Sequence, residues 1–346
     1  MDLEQSRQIE HKKRIKIGYT MALFCAVLWG LWYLPGEAVW VLEPFDSMWV
    51  DIDATHGESV ALVVIAALIT GLNALTVLIA LMVWNGALGK FKEMRRTIKQ
   101  IKPCTRHFFF ASIFGGPMAI LGSFIAIGFI GGGFAAVAAL LYPVVGTLVS
   151  VKWGGQRITQ RAIAGISMIV LGGIIIYIIG AYQDLQAGGS LIGYLGGAMA
   201  ALGWGIEGAV AGKALDISEP DIGITLRFLA ENVLWWIVII PALFIAGFPM
   251  YEFAFQVFEP VTLLVLMMMG LTFGFCYVSW YKSFPLIGVG RGQGIANLYG
   301  LFAVIFIFIF IGWAPDWTVL VGGALCIIGS LIMYTEEPLE LESLRG

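Results

Sequence analysis

One acidic residue interrupts a long apolar stretch of the chain. The segment LIGYLGGAMAALGWGIEGAVAGKAL, residues 191–215, contains Glu207 and no other charged residue before Lys213. A carboxylate near the middle of a bilayer costs about 2.5–3.5 kcal/mol on insertion scales, so such residues face a bundle interior or a wet cavity. Glu207 is therefore predicted to exchange a proton or to bind a cationic group. The alternative is a hydrogen bond that only packs one helix against another.

Aromatic and amide side chains recur at helical spacing in four apolar segments. They are Trp29, Trp32, Tyr33 and Glu37 in the first, Trp204 with Glu207 in the second, Tyr277, Trp280 and Tyr281 in the third, and Gln293 and Asn297, with Tyr299 beside them, in the fourth. Spacings of three or four residues place such side chains on one helix face. If the four faces converge, they form an aromatic cavity that contains one or two carboxylates.

That cavity would suit an organic cation, through cation–π contacts and an ion pair. Aromatic walls with Asn and Gln equally suit a sugar or a nucleoside-like ring. Packing and the interfacial aromatic belt are the alternatives for the aromatic residues.

Arg227 and Glu231, spaced i, i+4, are predicted to pair with each other, and Asn73 is predicted to make a helix-packing hydrogen bond. Lys213, Lys282 and Arg291 are predicted to be snorkelling anchors at the membrane surface.

Residues with redox, metal-binding or nucleotide-binding chemistry are sparse. The four cysteines are scattered singly, and the three histidines lie outside or at the edge of the apolar runs, which argues against a disulfide framework, a haem and a metal site. The Gly-rich segments FIGGGF and LIGVGRG follow no predicted strand and precede no Lys-Ser/Thr, which excludes a phosphate loop. We expect no metal and no cofactor beyond a coupling proton or ion, and no enzymatic activity.

The composition places these residues in a membrane protein. The chain has 346 residues, of which 59% are hydrophobic and 12% charged, whereas soluble domains carry about 25% charged residues. Apolar runs of about 20 residues, each long enough to cross a bilayer, predict an all-α polytopic protein with ten transmembrane helices. They lie at 17–40, 58–84, 108–129, 131–151, 160–181, 190–213, 223–247, 261–283, 287–311 and 317–335.

The basic residues predict the orientation of these spans. With the N-terminus in the cytoplasm, all 20 lysines and arginines fall on or near the cytoplasmic side, and the outer loops carry acids without Lys or Arg. This positive-inside bias predicts that both termini are cytoplasmic, with a basic segment at 1–16 and a tail at 336–346. We expect an integral, multi-pass protein of a plasma membrane of bacterial type.

The two halves of the chain repeat each other. Residues 18–32 align with 193–207 at an offset of 175, which pairs Trp29 with Trp204 and Trp32 with Glu207. From residue 129 onward a second register, with an offset of 157, pairs Tyr142 with Tyr299. Five spans in each half, 17–181 and 190–335, require the second copy to enter the membrane in the opposite orientation. Inverted repeats with a binding site at their interface are typical of secondary transporters.

The sequence resembles the drug/metabolite transporter superfamily in its EamA-like branch, over about residues 17–335. The resemblance rests on the Trp-Gly pairs at 29–30 and 204–205, Pro143, the QRIT segment at 156–159, and the spacing of Gly165 and Gly172. The sequence departs from the pattern at Gln156, where the family usually has an acid, and at Gly300, where the second copy lacks the proline. The loops at 41–57 and 85–107 are also longer than usual.

The resemblance implies a five-plus-five inverted repeat and alternating access. We expect a secondary active transporter of a small polar organic metabolite, with an amine or quaternary ammonium cation favoured and a sugar-like or amino-acid-like solute as the alternative. A channel would need symmetric pore-lining helices and a filter. A membrane-embedded enzyme would need paired acids, a His cluster or a Ser–base pair at one membrane face. The expected partners are a small-molecule substrate and the lipid bilayer, with no nucleic acid, in a monomer or homodimer.

Overall fold

A computed structural model describes residues 3–154 and 159–334. Within these ranges the backbone is helical apart from short connections, and it contains no strand. The helices are α1 (Leu3–Ala38), α2 (Phe45–His56), α3 (Glu58–Ala87), α4 (Phe91–Gln100), α5 (Lys102–Ile130), α6 (Gly132–Trp153), α7 (Gln160–Gln186), α8 (Leu191–Leu215), α9 (Pro220–Ile245), α10 (Met250–Gln256), α11 (Pro260–Ile287), α12 (Val289–Ile311) and α13 (Trp317–Tyr334).

Eight helices of the described ranges are long and apolar enough to cross a membrane: α1, α3, α5, α6, α7, α9, α11 and α12. A helix pairs its backbone N–H and C=O groups within itself, which is what a bilayer without water requires. The chain is therefore an integral membrane protein of helical, polytopic type, as the apolar runs predict.

Several boundaries differ from the predicted ones. Helix α1 begins at Leu3, so the basic segment predicted at 1–16 is helical from that residue and continues into the first span. The long connections at 41–57 and 85–107 contain α2 and α4. Gln156 of the QRIT segment and the predicted tail at 336–346 lie outside the described residues.

Three of the long helices contain a π-helical turn. These turns lie at Phe114–Ile120 in α5, Ile175–Gly180 in α7 and Leu234–Ile239 in α9. The turn in α5 contains Pro117, which has no N–H to donate within the helix. Single π turns inside α-helices occur frequently at functional sites. The turn in α5 contacts α8, which carries Glu207.

Small residues allow the helices to approach closely. A Cβ atom on Gly122 of α5 would lie 2.5 Å from the carbonyl oxygen of Gly196 in α8, and a Cβ atom on Gly196 would lie 2.5 Å from the carbonyl oxygen of Gly122. Only glycine fits at this crossing. Helices in lipid associate chiefly through such close packing, because lipid tails are as apolar as the side chains.

Several turns and contacts occur twice in the structure, separated by the sequence offsets of 157 and 175 residues. The turn between α5 and α6 is made by Gly131 (φ 77°, ψ 155°), and the turn between α11 and α12 by Gly288 (φ 83°, ψ 155°), 157 residues later. A positive φ is accessible to glycine at little cost. Gly18 packs against Leu286 and Ile287, and its counterpart Gly193 packs against the counterparts Phe129 and Ile130.

Two buried tyrosines link α6 and α12 in the same reciprocal manner. The hydroxyl of Tyr142 donates to the carbonyl oxygen of Gln293 at 2.6 Å, and the hydroxyl of Tyr299 donates to the carbonyl oxygen of Ala136 at 3.0 Å. Both donors and both acceptors are separated by 157 residues. The two hydrogen bonds therefore join α6 and α12 in both directions through residues at the same sequence offset.

Candidate functional site

A cluster of three ionisable side chains lies in the interior of the bundle. Glu207 on α8 and Arg227 and Glu231 on α9 each have no exposed surface. Arg227 Nε donates to Glu207 Oε1 at 2.7 Å, and Arg227 Nη1 donates to Glu231 Oε2. The predicted pairing of Arg227 with Glu231 is confirmed. The second pairing, with Glu207, could not be predicted from the sequence, because the register between α8 and α9 is a tertiary property.

Neutral donors satisfy the remaining carboxylate oxygens. Tyr277 donates to Glu207 Oε2 at 2.9 Å, and Tyr281 donates to Glu207 Oε1 at 3.2 Å. Trp235 Nε1 lies 3.4 Å from Glu231 Oε1. A buried ion pair is tolerated only when its other lone pairs are also satisfied. Trp235 thus contacts the cluster through its indole N–H.

Two glycines of α5 leave space for these side chains. A Cβ atom on Gly115 would collide with Arg227 and Glu207, and a Cβ atom on Gly116 would collide with Glu231. Both glycines belong to the π-helical turn FGGPMAI. This contribution was not predicted from the sequence, although a Gly-Gly-Pro triplet inside an apolar span was a usable signal.

The predicted aromatic residues converge beside the cluster around Trp29. The Trp29 ring stacks on Tyr299 at a centroid distance of 4.5 Å and meets Trp204 edge to face at 4.6 Å. Trp280 and Tyr142 lie 5.6 and 5.7 Å from the same ring. We call these five side chains, Trp29, Tyr142, Trp204, Trp280 and Tyr299, the aromatic box.

The aromatic box and the charged cluster share one hydrogen-bonded link. Trp204 Nε1 donates to the hydroxyl of Tyr277 at 2.9 Å, and that hydroxyl in turn donates to Glu207. The Arg227 guanidinium carbon lies 5.0 Å from the Tyr277 ring centroid, within cation–π distance. A change in the charge state of Glu207 would therefore reach Trp204 through a single tyrosine.

Other residues predicted for the site make packing contacts. Trp32 stacks on Phe273 at 4.3 Å and donates through Nε1 to Asn73 Oδ1 at 3.1 Å, which confirms the hydrogen bond predicted for Asn73. Tyr33 bonds to Ser123 at 3.3 Å. Asn297 donates to the carbonyl oxygen of Leu140 and to Ser330. These side chains adjoin the aromatic box and hold it in place.

Glu37 and Gln293 occupy different environments. The structure does not bring Glu37 to the cluster: its carboxylate accepts the backbone N–H of Gly132 and caps α6. Gln293 is 1% exposed and lies between α6 and α8, where its carboxamide fills the space beside Gly146 and Gly208. No hydrogen-bond partner for that carboxamide occurs among the described residues.

A second polar network joins the ends of α3, α9 and α11, where basic residues gather. Asp221, 1% exposed, accepts from Trp84 Nε1 at 3.0 Å, from Lys282 Nζ at 3.0 Å and from Lys90 Nζ at 2.5 Å. Lys90 also pairs with Glu219. Lys282, predicted to be a snorkelling anchor, also forms an ion pair with Asp221 of another helix. We call Lys90, Glu219, Asp221 and Lys282 the surface latch.

Comparisons with known proteins inform the fold alone. No protein-family profile matches the chain, and no curated protein matches it. Solved structures do match, 22 chains in all. One of them, a protein known from a crystal structure, is similar with a TM-score of 0.58 and 17% sequence identity, over 95% of this chain and 99% of the other. The chain therefore shares its overall fold with a structurally characterised protein along nearly its full length.

Proposed function

We propose that the protein is a secondary active transporter of a small polar organic solute, with the drug/metabolite transporter architecture of ten transmembrane helices. Two helices join the eight long apolar ones: α8, with 25 residues, and α13, with 18 residues. Helix α8 carries Glu207 and many glycines, which lower its mean hydropathy without shortening it. Either helix is long enough to cross a bilayer core of about 30 Å with modest thinning or tilt.

An inverted five-plus-five repeat accounts for the paired contacts. The reciprocal Tyr142 and Tyr299 bonds and the matching turns at Gly131 and Gly288 fall at the offset of 157 residues. Five helices in each half reverse the orientation of the second half. The distribution of basic residues supports cytoplasmic termini, and we assign the protein to a plasma membrane of bacterial type.

The observation that carries the proposal is the charge of the buried cluster. Glu207 and Glu231 share the single guanidinium of Arg227, so the three ionised groups together carry one excess negative charge with no exposed surface. Such an excess is expensive inside a membrane, and ionisable residues in spans mark proton relays and ion pathways. The cluster accordingly binds one proton, or exchanges it for a cationic substrate, during alternating access.

Glu207 has two candidate roles: it couples transport to a proton, or it binds a cationic substrate directly. Its pairing with Arg227 and two tyrosines favours a coupling role, because a substrate amine would have to displace these partners. The excess negative charge and the neighbouring aromatic faces favour the second candidate, direct binding of an amine or quaternary ammonium cation.

Proteoliposomes with a trapped pH-sensitive dye test the proposal. Choline, ethanolamine, D-glucose, myo-inositol and L-alanine would be added outside under an imposed pH gradient. We expect at least one solute to move protons with wild-type protein, and Glu207→Gln to reduce that flux at least tenfold. Glu252→Gln, an exposed acid on α10, is the matched control and should leave the flux unchanged. Unaltered proton flux in Glu207→Gln would contradict the coupling role.

A further inference from the structure

Four buried polar atoms in and beside the aromatic box have no hydrogen-bond partner among the described residues. They are Trp29 Nε1, Trp280 Nε1, and both Nε2 and Oε1 of Gln293, in residues that are 0–1% exposed. Buried polar atoms are paired in the great majority of native structures, and each exception calls for an explanation. Four such atoms in neighbouring side chains mark this region as a candidate site for a polar ligand.

Ring distances and the space beside Gly208 place the three residues next to one another. The rings of Trp29 and Trp280 lie 5.6 Å apart, and Tyr142 lies 6.3 Å from Trp280. The position that a Cβ atom of Gly208 would take lies 3.5 Å from Trp280 Cη2 and against Gln293 Nε2. The Gln293 carboxamide therefore lies beside the indole of Trp280.

Two glycines allow an amide at this position. A Cβ atom on Gly146 would collide with Gln293 Oε1, and a Cβ atom on Gly208 would collide with Gln293 Nε2. Glycine on both flanking helices therefore admits the carboxamide between α6 and α8, and no backbone group of the described residues donates to it or accepts from it. A residue retained for packing would be apolar at such a place, because an unpaired amide destabilises the fold.

The set of atoms selects a ligand chemistry. Three of the four are N–H donors and one is a carbonyl acceptor, so the ligand must mainly accept hydrogen bonds and also donate at least one. A quaternary ammonium ion does neither, a protonated amine cannot accept, and a carboxylate cannot donate. Hydroxyl groups do both, and the C–H faces of a hydroxylated ring pack against Trp and Tyr.

We infer that Trp29, Trp280 and Gln293 form a binding subsite for a neutral polyhydroxylated ring, such as a sugar or a cyclitol. This inference rests on the proposed transport function and names its substrate class. The Gln293 carboxamide pairs with adjacent hydroxyl groups, the two indole N–H groups donate to ring oxygens, and Tyr142 and Tyr299 complete the wall. The charged cluster beyond Tyr277 couples this binding to a proton.

Ligand-induced thermal stabilisation of the purified protein tests the subsite. The probes are D-glucose, D-ribose and myo-inositol, with choline and L-alanine for comparison. We expect at least one polyol to raise the melting temperature in a saturable manner. Gln293→Met, which keeps the side-chain length, should weaken its Kd by about tenfold or more. Trp280→Phe, which keeps a ring and removes the N–H, should weaken Kd by about threefold to tenfold.

Trp40→Phe is the matched control. Trp40 Nε1 also lacks a partner among the described residues, but its ring packs against Gly128, outside the aromatic box. The Kd in this variant should equal that of wild type. Gln293→Met should melt, without ligand, at or above the wild-type temperature, because it removes an unpaired buried amide. The inference is overturned if no polyol binds, or if Gln293→Met binds a polyol as wild type does.

The experiments can overturn the proposed subsite without overturning the proposed transport function, and the reverse. Proton flux driven by choline or L-alanine, with no polyol binding, would overturn the subsite and leave the transporter standing. Saturable polyol binding lost in Gln293→Met, with no solute movement in proteoliposomes, would keep the subsite and overturn transport. Polyol-driven proton flux that requires both Gln293 and Glu207 supports both.

Discussion

Arg227 is, among the described residues, the base that pairs with both Glu207 and Glu231. Its removal would leave two carboxylates facing each other without a countercharge, whereas removal of Glu207 would leave a balanced pair. Breaking a buried ion pair by deleting one partner typically costs about 3–5 kcal/mol, because the other charge is left buried and unpaired. Removal of Arg227 should therefore destabilise the protein more than removal of Glu207.

We predict that Arg227→Gln destabilises the protein by about 3–5 kcal/mol. Glu207→Gln should cost about 1 kcal/mol or less, since its amide can still accept from Tyr277 and the Glu231–Arg227 pair remains. Reversible unfolding in mixed micelles would measure both. Equal losses in the two variants would show that the guanidinium does not balance the two acids together.

For individual residues, the sequence predicted which side chains belong to the site better than it predicted which side chains they pair with. The isolation of Glu207 in an apolar run marked it, and helical spacing marked the aromatic residues. The bond from Arg227 to Glu207 joins different helices and depends on how they are rotated, which periodicity does not encode. Glu37 lies only about 7.5 Å further along the axis from Trp32, yet the turn at Gly132 captures its carboxylate.

Helix α5 shapes the site without contributing a charge to it. Its π-helical turn brings the backbone of Gly115 and Gly116 against the cluster, where any side chain would occupy the space of Arg227, Glu207 or Glu231. Positions of this type are sensitive to a single methyl group, because packed interiors have little room to adjust.

We predict that Gly115→Ala lowers the stability by about 2–4 kcal/mol and abolishes proton flux, through overpacking against the cluster. Gly71→Ala on α3 is the matched control: its Cβ atom would meet its nearest neighbours at 3.7 Å, an ordinary contact. That variant should melt within a few degrees of wild type, since alanine is the better helix former. Melting curves of the two proteins in one detergent provide the comparison, and similar curves would contradict the overpacking.

The existence of the long helices followed from the apolar runs, but some of their ends did not. Glu, Gln, Lys and Arg are good helix formers, so α1 extends through the polar segment back to Leu3. Hydropathy detects only the part of a helix that lies in lipid. The π turn in α5, which brings Gly115 and Gly116 against the cluster, leaves no period in the sequence.

In the molecule as a whole, ion pairs and a hydrogen bond join the helices at the end where the basic residues gather. The surface latch ties α3, α9 and α11 through Asp221, and an opening of this end must break it. Cys104 lies near this end of α5, 2% exposed, with its thiol against the carbonyl oxygen of Ala214. It can report on opening.

We predict that the double substitution Lys90→Gln and Lys282→Gln accelerates maleimide labelling of Cys104 at least threefold, in a background where the other three cysteines are replaced by alanine. Removal of both lysines leaves Asp221 without the two cations that pair with it. Lys213→Gln is the control, because Lys213 donates to the carbonyl oxygen of Trp153 outside the latch. An unchanged labelling rate in the double variant would mean that the latch does not hold this end closed.

The pH dependence of the latch has a definite sign. Burial lowers the pKa of Lys90, but its hydrogen bonds and charge interactions with Asp221 and Glu219 outweigh burial and raise the pKa above its ordinary value. A raised lysine pKa stabilises the folded state fully below the unfolded pKa of about 10.4, and this contribution is lost as the pH rises through the folded pKa. The stability difference between wild type and Lys90→Gln should therefore be constant from pH 6 to pH 9, apart from any change contributed by other groups.

Under the proposed inverted repeat, the contacts between α6 and α12 are paired between the two halves, but the residues of the charged cluster are not. All the side chains of the charged cluster, Glu207, Arg227 and Glu231 with Tyr277 and Tyr281, come from the second half, and the first half supplies the glycines that make room for them. Trp32, the counterpart of Glu207, packs on Phe273. If the halves descend from one duplicated ancestor, they have since diverged in role. The first half provides the space at its glycines, and the second half provides the charged side chains that fill it. Two copies of either half would then reproduce the architecture without the mechanism.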